Sequence, residues 1–235
     1  MPHAPILLTR PKAQADAFAR RIEDVMGPGE IVISPLLEIV PKGTPPDLDR
    51  FDAIVLTSAN AVTTWSIKAN EGMVAYCVGD ATARAAKAAG FAVKSASGDW
   101  RALAKVLSAE RPFGRLLYLR GEHTVGDLKH TLSVCGLDVS EQIVYAQNAR
   151  DLTPEAAKVL AKPHPVLIPV FSPRSAKLLG PHLNAAAAET HIAAISPAVR
   201  DALPVQTVSR LEVATHPTAE SVLERLAALQ YGLRA

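Results

Sequence analysis

Cysteine is scarce in this chain: there are two in 235 residues, Cys77 and Cys135. Neither belongs to a CxxC pair, and both sit in apolar surroundings, AYCVGD and LSVCGL. A disulfide framework is therefore excluded, and two reduced thiols in or near the core of a cytoplasmic protein are expected. The seven histidines form neither HExxH nor HxH, so no metal site is expected. No apolar run approaches the ~18 residues that a membrane span needs. The start, MPHAPILLTRPK, has no basic segment ahead of a long apolar stretch, so no signal peptide is read there. An excess of one charge is also missing. Lys plus Arg number 25 against 23 for Asp plus Glu, a net charge of +2. That balance gives no reason to expect nucleic acid, but it permits local capture of an anionic ligand. Hydrophobic residues at 49% and charged residues at 20% describe a chain that folds.

Several catalytic signatures are missing too. The first strand is followed by TRPKAQ rather than GxGxxG, there is no GxxxxGK[ST] loop, and there is no GxSxG elbow. Ser58, Ser172 and Ser196 each lack a recognisable His/Asp set, and Asp and Glu show no paired pattern.

What is present is alternation. Short apolar runs are separated by amphipathic stretches rich in Ala, Leu, Lys and Arg. Strands are predicted at 5–9, 31–33, 52–57, 74–78, 92–94, 115–119, 139–146, 166–171, 192–195 and 206–208. Helices are predicted at 12–25, 59–69, 81–89, 100–110, 124–134, 173–187, 197–202 and 219–230. Strand and helix alternating at this spacing give an α/β fold of parallel sheets flanked by helices on both faces.

A weak internal repeat refines that picture. FDAIVLTSANAVTTW (51–65) resembles PVLIPVFSPRSAKLL (165–179), and VAYCVGDATARAA (74–86) resembles HIAAISPAVRDAL (191–203). SGDWRALAKVL (97–107) resembles HPTAESVLERL (216–226). The fourth element, RLLYLRGEHTVGDLKHTL (115–132), has no later counterpart and matches the beginning instead, PILLTRPKAQADAFARRI (5–22). The N-terminal unit is thus expected to join the C-terminal half. One lobe is discontinuous, 1–35 plus 149–235, and the other continuous, 49–140. The connecting segments 36–48 and 141–148 contain extended-looking LLEIV and QIVYA and are expected to pair as a two-stranded β linker, a hinge with little stiffness.

In open parallel α/β sheets ligands bind beyond the carboxyl ends of the strands. The residues there are Thr57, Ser58, Asn60, Gly79, Asp80, Thr82, Arg120 and Gly121 in the continuous lobe. In the discontinuous lobe they are Thr9, Arg10, Ser172, Ser175, Ser196 and Thr218. Nearly every such turn offers a hydroxyl or glycine where free N–H groups and the positive end of a helix meet, which suits carboxylate or phosphate groups. The same Ser and Thr residues are also ordinary helix caps. Tyr145, in the second connecting segment, ionises normally near pH 10. It is either a proton donor or a packed tyrosine with its hydroxyl toward water.

Taken in order, LLTRP, VLTSANAV, VGDATA, LYLRGE, VYA, FSPRSA, IAAISPAV and HPT resemble the uroporphyrinogen-III synthase family over essentially the whole chain. The resemblance implies two α/β lobes joined by a β linker with the site in the cleft, opening and closing about that hinge. It implies an enzyme that dehydrates and cyclises the linear tetrapyrrole hydroxymethylbilane with inversion of ring D, a cytoplasmic monomer with no metal and no cofactor. It allows transient contact with the enzyme that makes the substrate, and it involves neither nucleic acid nor membrane. Carried over residue by residue, Tyr145 is the proton donor. Arg10, Thr57, Ser58, Asn60, Gly79, Thr82, Arg120, Gly121, Ser172, Ser175 and Ser196 bind substrate. The usual IGxTT-like turn departs here to Ile195-Ser196-Pro197-Ala198-Val199, which removes a threonine hydroxyl and favours recognition through the backbone. The rival reading is a two-lobed, non-catalytic binding or sensory protein for an anionic ligand.

Overall fold

The computed structural model describes residues 3–233, the side chain of Val205 aside. In chain order the elements begin β1 (Ile6–Leu8), α1 (Lys12–Met26), β2 (Ile31–Ile33), β3 (Leu37–Pro41), β4 (Ala53–Leu56) and α2 (Asn60–Thr63). They continue β5 (Val74–Cys77), α3 (Asp80–Ala88), β6 (Ala92–Ser95), α4 (Trp100–Glu110), β7 (Arg115–Gly121), α5 (Leu128–Val134) and β8 (Asp138–Ala149). The remainder is α6 (Pro154–Leu160), β9 (Pro165–Val170), α7 (Pro173–Asn184), β10 (Glu189–Ala194), α8 (Pro197–Arg200), β11 (Arg210–Val213) and α9 (Ala219–Gly232).

The chain separates into two compact units: residues up to Glu38 together with those from Ala149 onward, and Ile39–Asn148 between them. The first holds a five-stranded sheet in the order β11-β10-β9-β1-β2. The second sheet runs β3-β8-β7-β4-β5-β6. Read from one edge, β6-β5-β4-β7-β8 repeats the path of β11-β10-β9-β1-β2, with β3 added. β1 stands beside β9 where β7 stands beside β4, and both pairings are parallel.

Strand alternation builds the cores. In β9, Val166, Ile168 and Val170 enter one hydrophobic cluster and Leu167 another. In β4 and β7, Ile54, Leu56, Leu117 and Leu119 face one cluster, and Ala53, Val55, Leu116 and Tyr118 the other. Each sheet is thus apolar on both faces, which is why its strands read as unbroken hydrophobic runs. Helix starts are fixed by side-chain caps: Asp99 on α4, Asp127 on α5, Thr153 on α6, Ser172 on α7 and Thr218 on α9.

Four segments differ from the sequence expectation. The helix predicted at 59–69 is a single turn. Ser66 adopts φ +50°, and the N–H of Ile67 reaches back to the carbonyl of Val62 at 3.1 Å, which closes the helix after one turn. The strand predicted at 206–208 is a 3₁₀ turn, Val205–Thr207, in which Pro204 accepts from both the N–H and the hydroxyl of Thr207. Pairing with β10 begins only at Arg210. Helix α6 is additional, although its Thr-Pro-Glu start carries the cap, the N1 proline and the first-turn acid of a helix. Finally, the strand pairing of segment 141–148 extends beyond the linker expectation. The segment belongs to the twelve-residue β8, which lies beside β3 but also pairs in parallel with β7 from Asp138 to Tyr145. The seven residues of β7 present an edge whose N–H and C=O groups need partners, and β8 supplies them.

One buried group on β10 makes stability depend on pH. His191 is 8% exposed, and among the described residues neither ring nitrogen meets a hydrogen-bond partner. Burial holds its pKa below the ordinary 6.5, with Glu189 opposing and Arg210 reinforcing the shift. The folded chain therefore keeps His191 neutral while the unfolded chain protonates near pH 6.5. This contribution is fully present above that pH and is lost as the pH falls below it. His191→Leu is expected to flatten the acid limb of a urea-midpoint-versus-pH curve below pH 6.5 and to leave stability at pH 8 within about 1 kcal/mol of wild type.

Candidate active site

In each sheet the chain order reverses at one place, between β9 and β1 in the first unit and between β4 and β7 in the second. That crevice at the carboxyl ends of the strands is where ligands bind in open α/β sheets. In the second unit the crevice opens as a pocket of about 320 Å³ lined by Thr57 and Ser58 after β4, Tyr118 and Gly121 of β7, and Tyr145 of β8. Val78, Asp99, Trp100, His123, Thr124 and Val125 complete its walls.

Tyr145 reaches the pocket through an irregularity in β8. The register runs Arg120↔Ile143 and then Gly121↔Tyr145, so Val144 is an extra residue, a β-bulge. Because of it, Val144 and Tyr145 turn toward the same hydrophobic cluster instead of opposite faces. The backbone is held there by the N–H of Glu122 on Tyr145 O at 2.9 Å, and by Trp65 Nε1 and the N–H of Lys42 on Val144 O. The Tyr145 ring packs closely on Gly121: a Cβ on that glycine would come within 2.6 Å of Tyr145 Cζ. Its hydroxyl bonds to the side chains of Ser58 and Asn60. Burial outweighs these bonds and pushes the phenol above its ordinary pKa, so it carries its proton at neutral pH.

The opposite wall holds a second phenol. Tyr118 is 3% exposed, and its oxygen lies 3.1 Å from Thr57 Oγ1. Burial pushes it upward as well, while Thr57 and the nearby Arg120 oppose the shift. Trp100 begins α4 and lies under the 122–127 loop so closely that a Cβ on Gly126, itself at φ +78°, would meet Trp100 Cζ2 at 2.3 Å. Only glycine suits that position.

The sequence candidates divide accordingly. Thr57, Ser58, Asn60, Gly121 and Tyr145 come together. Gly79 is the start of α3 in extended backbone, φ −165°, with no side-chain cap bond, and a Cβ there would have Gly98 O as its nearest neighbour, at 3.9 Å. Thr82 is buried at 5% in the packing of α3. Arg120 is engaged elsewhere: Nε bonds Glu141 at 2.8 Å and Nη1 the carbonyls of Gly121 and Glu122. It braces the turn after β7, and it draws the Glu141 carboxyl below its usual range.

In the first unit Arg10 follows β1, with its guanidinium 3.8 Å over the ring of Phe171 and 5.9 Å from that of Phe18. Among the described residues it forms no ion pair with an acid, and its buried Nε has no hydrogen-bond partner. Burial and the charge of Arg21 push its pKa down to about 10. Ser172 caps α7, accepting from Ser175 N at 3.0 Å, while its hydroxyl donates to Ser175 Oγ at 2.9 Å. Ser196 opens α8 without a side-chain cap bond. The residues that sequence reasoning missed are Tyr118 and Trp100. It searched the turns beyond each strand, whereas Tyr118 sits inside β7, two residues before Arg120 and on the same face. Among the described residues no cluster of His, Cys, Asp and Glu could hold a metal ion, and no helix is long and apolar enough to cross a membrane.

Comparison with known proteins fits this geometry. Among solved structures, the uroporphyrinogen-III synthetase of Helicobacter pylori superposes with TM-score 0.66 at 18% identity, covering 96% of this chain and 99% of that one. A mutant uroporphyrinogen III synthase of Thermus thermophilus gives 0.51 at 15% identity, covering 98% and 99%. At such identities the likeness is one of fold. No curated protein matches the chain. The model of the HEM4 family, described as Uroporphyrinogen-III synthase HemD, matches residues 16–224, and the chain belongs to that family.

Proposed function

We propose that the protein converts hydroxymethylbilane into uroporphyrinogen III by dehydration, with Tyr145 as the acid. Family membership makes it a cyclising lyase. The observation that carries the dehydration step is the Tyr145 phenol: protonated, pressed on Gly121 and bound by Ser58 and Asn60 at the reversal point of the sheet. The phenol protonates the terminal hydroxyl, the C–O bond breaks, and water leaves. The pyrrole nitrogen supplies the electron pair, which produces a cationic azafulvene. A pyrrole carbon at the far end of the same molecule attacks it through a spiro intermediate, and rearrangement inverts that ring. The proton shed from carbon at the end returns to the phenolate, so one water is the only by-product.

Each pyrrole ring carries an acetate and a propionate, so the substrate is a polyanion. The turns at Gly79 and Ser196, which have no side-chain cap bond, and the guanidinium of Arg10, whose Nε has no hydrogen-bond partner among the described residues, are the groups suited to those carboxylates. Their task is positioning. The substrate also cyclises unaided, without inversion, and correct orientation of an intramolecular reaction is worth on the order of 7–11 kcal/mol. A cytoplasmic monomer is the form proposed for this work.

The test is incubation with freshly prepared hydroxymethylbilane, followed by separation of the product isomers. Uroporphyrinogen III, formed well above the spontaneous rate, is expected. Only the uninverted isomer, at the unaided rate, would leave a protein that binds without turnover.

A further inference from the structure

The chain contains four tyrosines, and two of them, Tyr118 and Tyr145, line one pocket. They approach from opposite faces of the same sheet: Tyr145 packs with Ile54, Leu56 and Leu119, and Tyr118 with Val55, Leu116 and Leu103. Adjacent residues at the end of β4 serve them separately. Thr57 bonds Tyr118 and Ser58 bonds Tyr145, because consecutive residues of a strand point to opposite sides. A buried tyrosine in a purely structural role commonly ties its hydroxyl to a backbone carbonyl or a charged group, as Tyr76 does with Glu110 at 3.1 Å. Tyr118 instead meets another hydroxyl, and both line the pocket. Two hydroxyls in contact pass a proton readily: either oxygen can donate to the other, and whichever faces the substrate can be re-supplied from behind. Burial keeps the Tyr118 phenol protonated, Arg120 nearby favours its anion, and Tyr145 and Glu141 oppose that anion.

We propose that Tyr118 and Thr57 form a second proton-donating pair in the pocket of Tyr145, able to protonate the departing hydroxyl of the substrate when Tyr145 does not. This rests on the function proposed above. The proton passes from Tyr118 to Thr57 Oγ1 as the Thr57 proton passes to the leaving oxygen. The C–O bond breaks and water departs. The Tyr118 phenolate is later neutralised by the proton that the pyrrole carbon releases on ring closure, by the reverse route through Thr57. No oxidant or further reactant is needed, and the two phenols are alternative acids for the same step.

The experiment compares kcat, KM and product isomers for wild type, Tyr118→Phe, Tyr145→Phe and the double variant, with thermal unfolding monitored for each. If the phenols substitute for one another, Tyr118→Phe alone lowers kcat by less than about twofold with KM unchanged, since Tyr145 remains in place and carries most of the rate. In the Tyr145→Phe background the same substitution removes the rest of the catalysed rate, a further loss of about tenfold or more, so the two losses are greater together than their product. Equal factors in both backgrounds, or none, would overturn the proposal, because a structural tyrosine affects both enzymes alike. Should the double variant not fold, Thr57→Val in the Tyr145→Phe background keeps both rings and breaks the hydroxyl pair. It is expected to show the same enhanced loss, and a Thr57→Val loss no larger there than in wild type would again overturn the proposal. If wild type itself makes no uroporphyrinogen III, it is the functional reading that fails, before any variant is compared.

Discussion

Tyr145→Phe is expected to lower kcat for ring closure by about 100-fold, with KM and affinity for the macrocyclic product within about twofold of wild type. The substitution removes one oxygen from a ring that is otherwise unchanged, so the packing against Gly121 survives. Removal of a positioned general acid costs about 10²- to 10⁴-fold in rate. The lower end is expected here because the leaving group is already labile and the substrate cyclises unaided. A drop in kcat with constant KM marks an interaction made in the transition state. Steady-state kinetics and equilibrium binding of the product check it, and unchanged turnover would remove Tyr145 from the chemistry.

Gly121→Ala, which removes no titratable group, is expected to be nearly as damaging. The added methyl would lie 2.6, 2.7 and 2.8 Å from Cζ, Cε2 and Oη of Tyr145, closer than any real contact. The backbone at Gly121 is β7 strand, so the conflict is with the ring and not with φ. Either the ring moves or the strand does, and overpacking of this kind costs about 1–3 kcal/mol of stability. A displaced phenol leaves Ser58 and Asn60 and the place where it was aimed. A fall in kcat of about tenfold or more is expected. In the Tyr145→Phe background the same alanine should cost little further activity, because both changes act through one hydroxyl. Kinetics of the four proteins, paired with urea unfolding, separate this coupling from simple destabilisation.

The two parallel sheets were legible in the sequence because both faces of each are buried, which makes their strands continuous apolar runs. The pairing of the N-terminal strand with the C-terminal half was legible because RLLYLR and PILLTR carry the same pattern. The failures have identifiable sources. Ile67, Lys68 and Ala69 extended the expected helix past the point where Ser66 turns the chain, and no residue type announced that turn. The Tyr145 site was found by family pattern and chain position. Tyr118 was passed over because a tyrosine inside an apolar strand has the composition of core. Only the facing Thr57, 61 residues away in sequence, distinguishes it. Arg120 shows the converse case. As a cation at a strand end it read as a binding group, but Glu141, on the neighbouring strand and 21 residues on, occupies it.

The single surplus residue in β8 has a consequence for how this acid can be altered or transplanted. Side chains along a strand keep a parity, even numbers to one side and odd to the other, and Val144 inverts that parity for everything after it. Closing the bulge without removing a residue, so that Val144 pairs with Gly121, would send the phenol through the sheet to the far layer, whereas deleting Val144 would leave the tyrosine opposite Gly121 on its present side. A tyrosine at the aligned position of a related strand therefore does not inherit this role by identity alone. It must also inherit the odd count that precedes it.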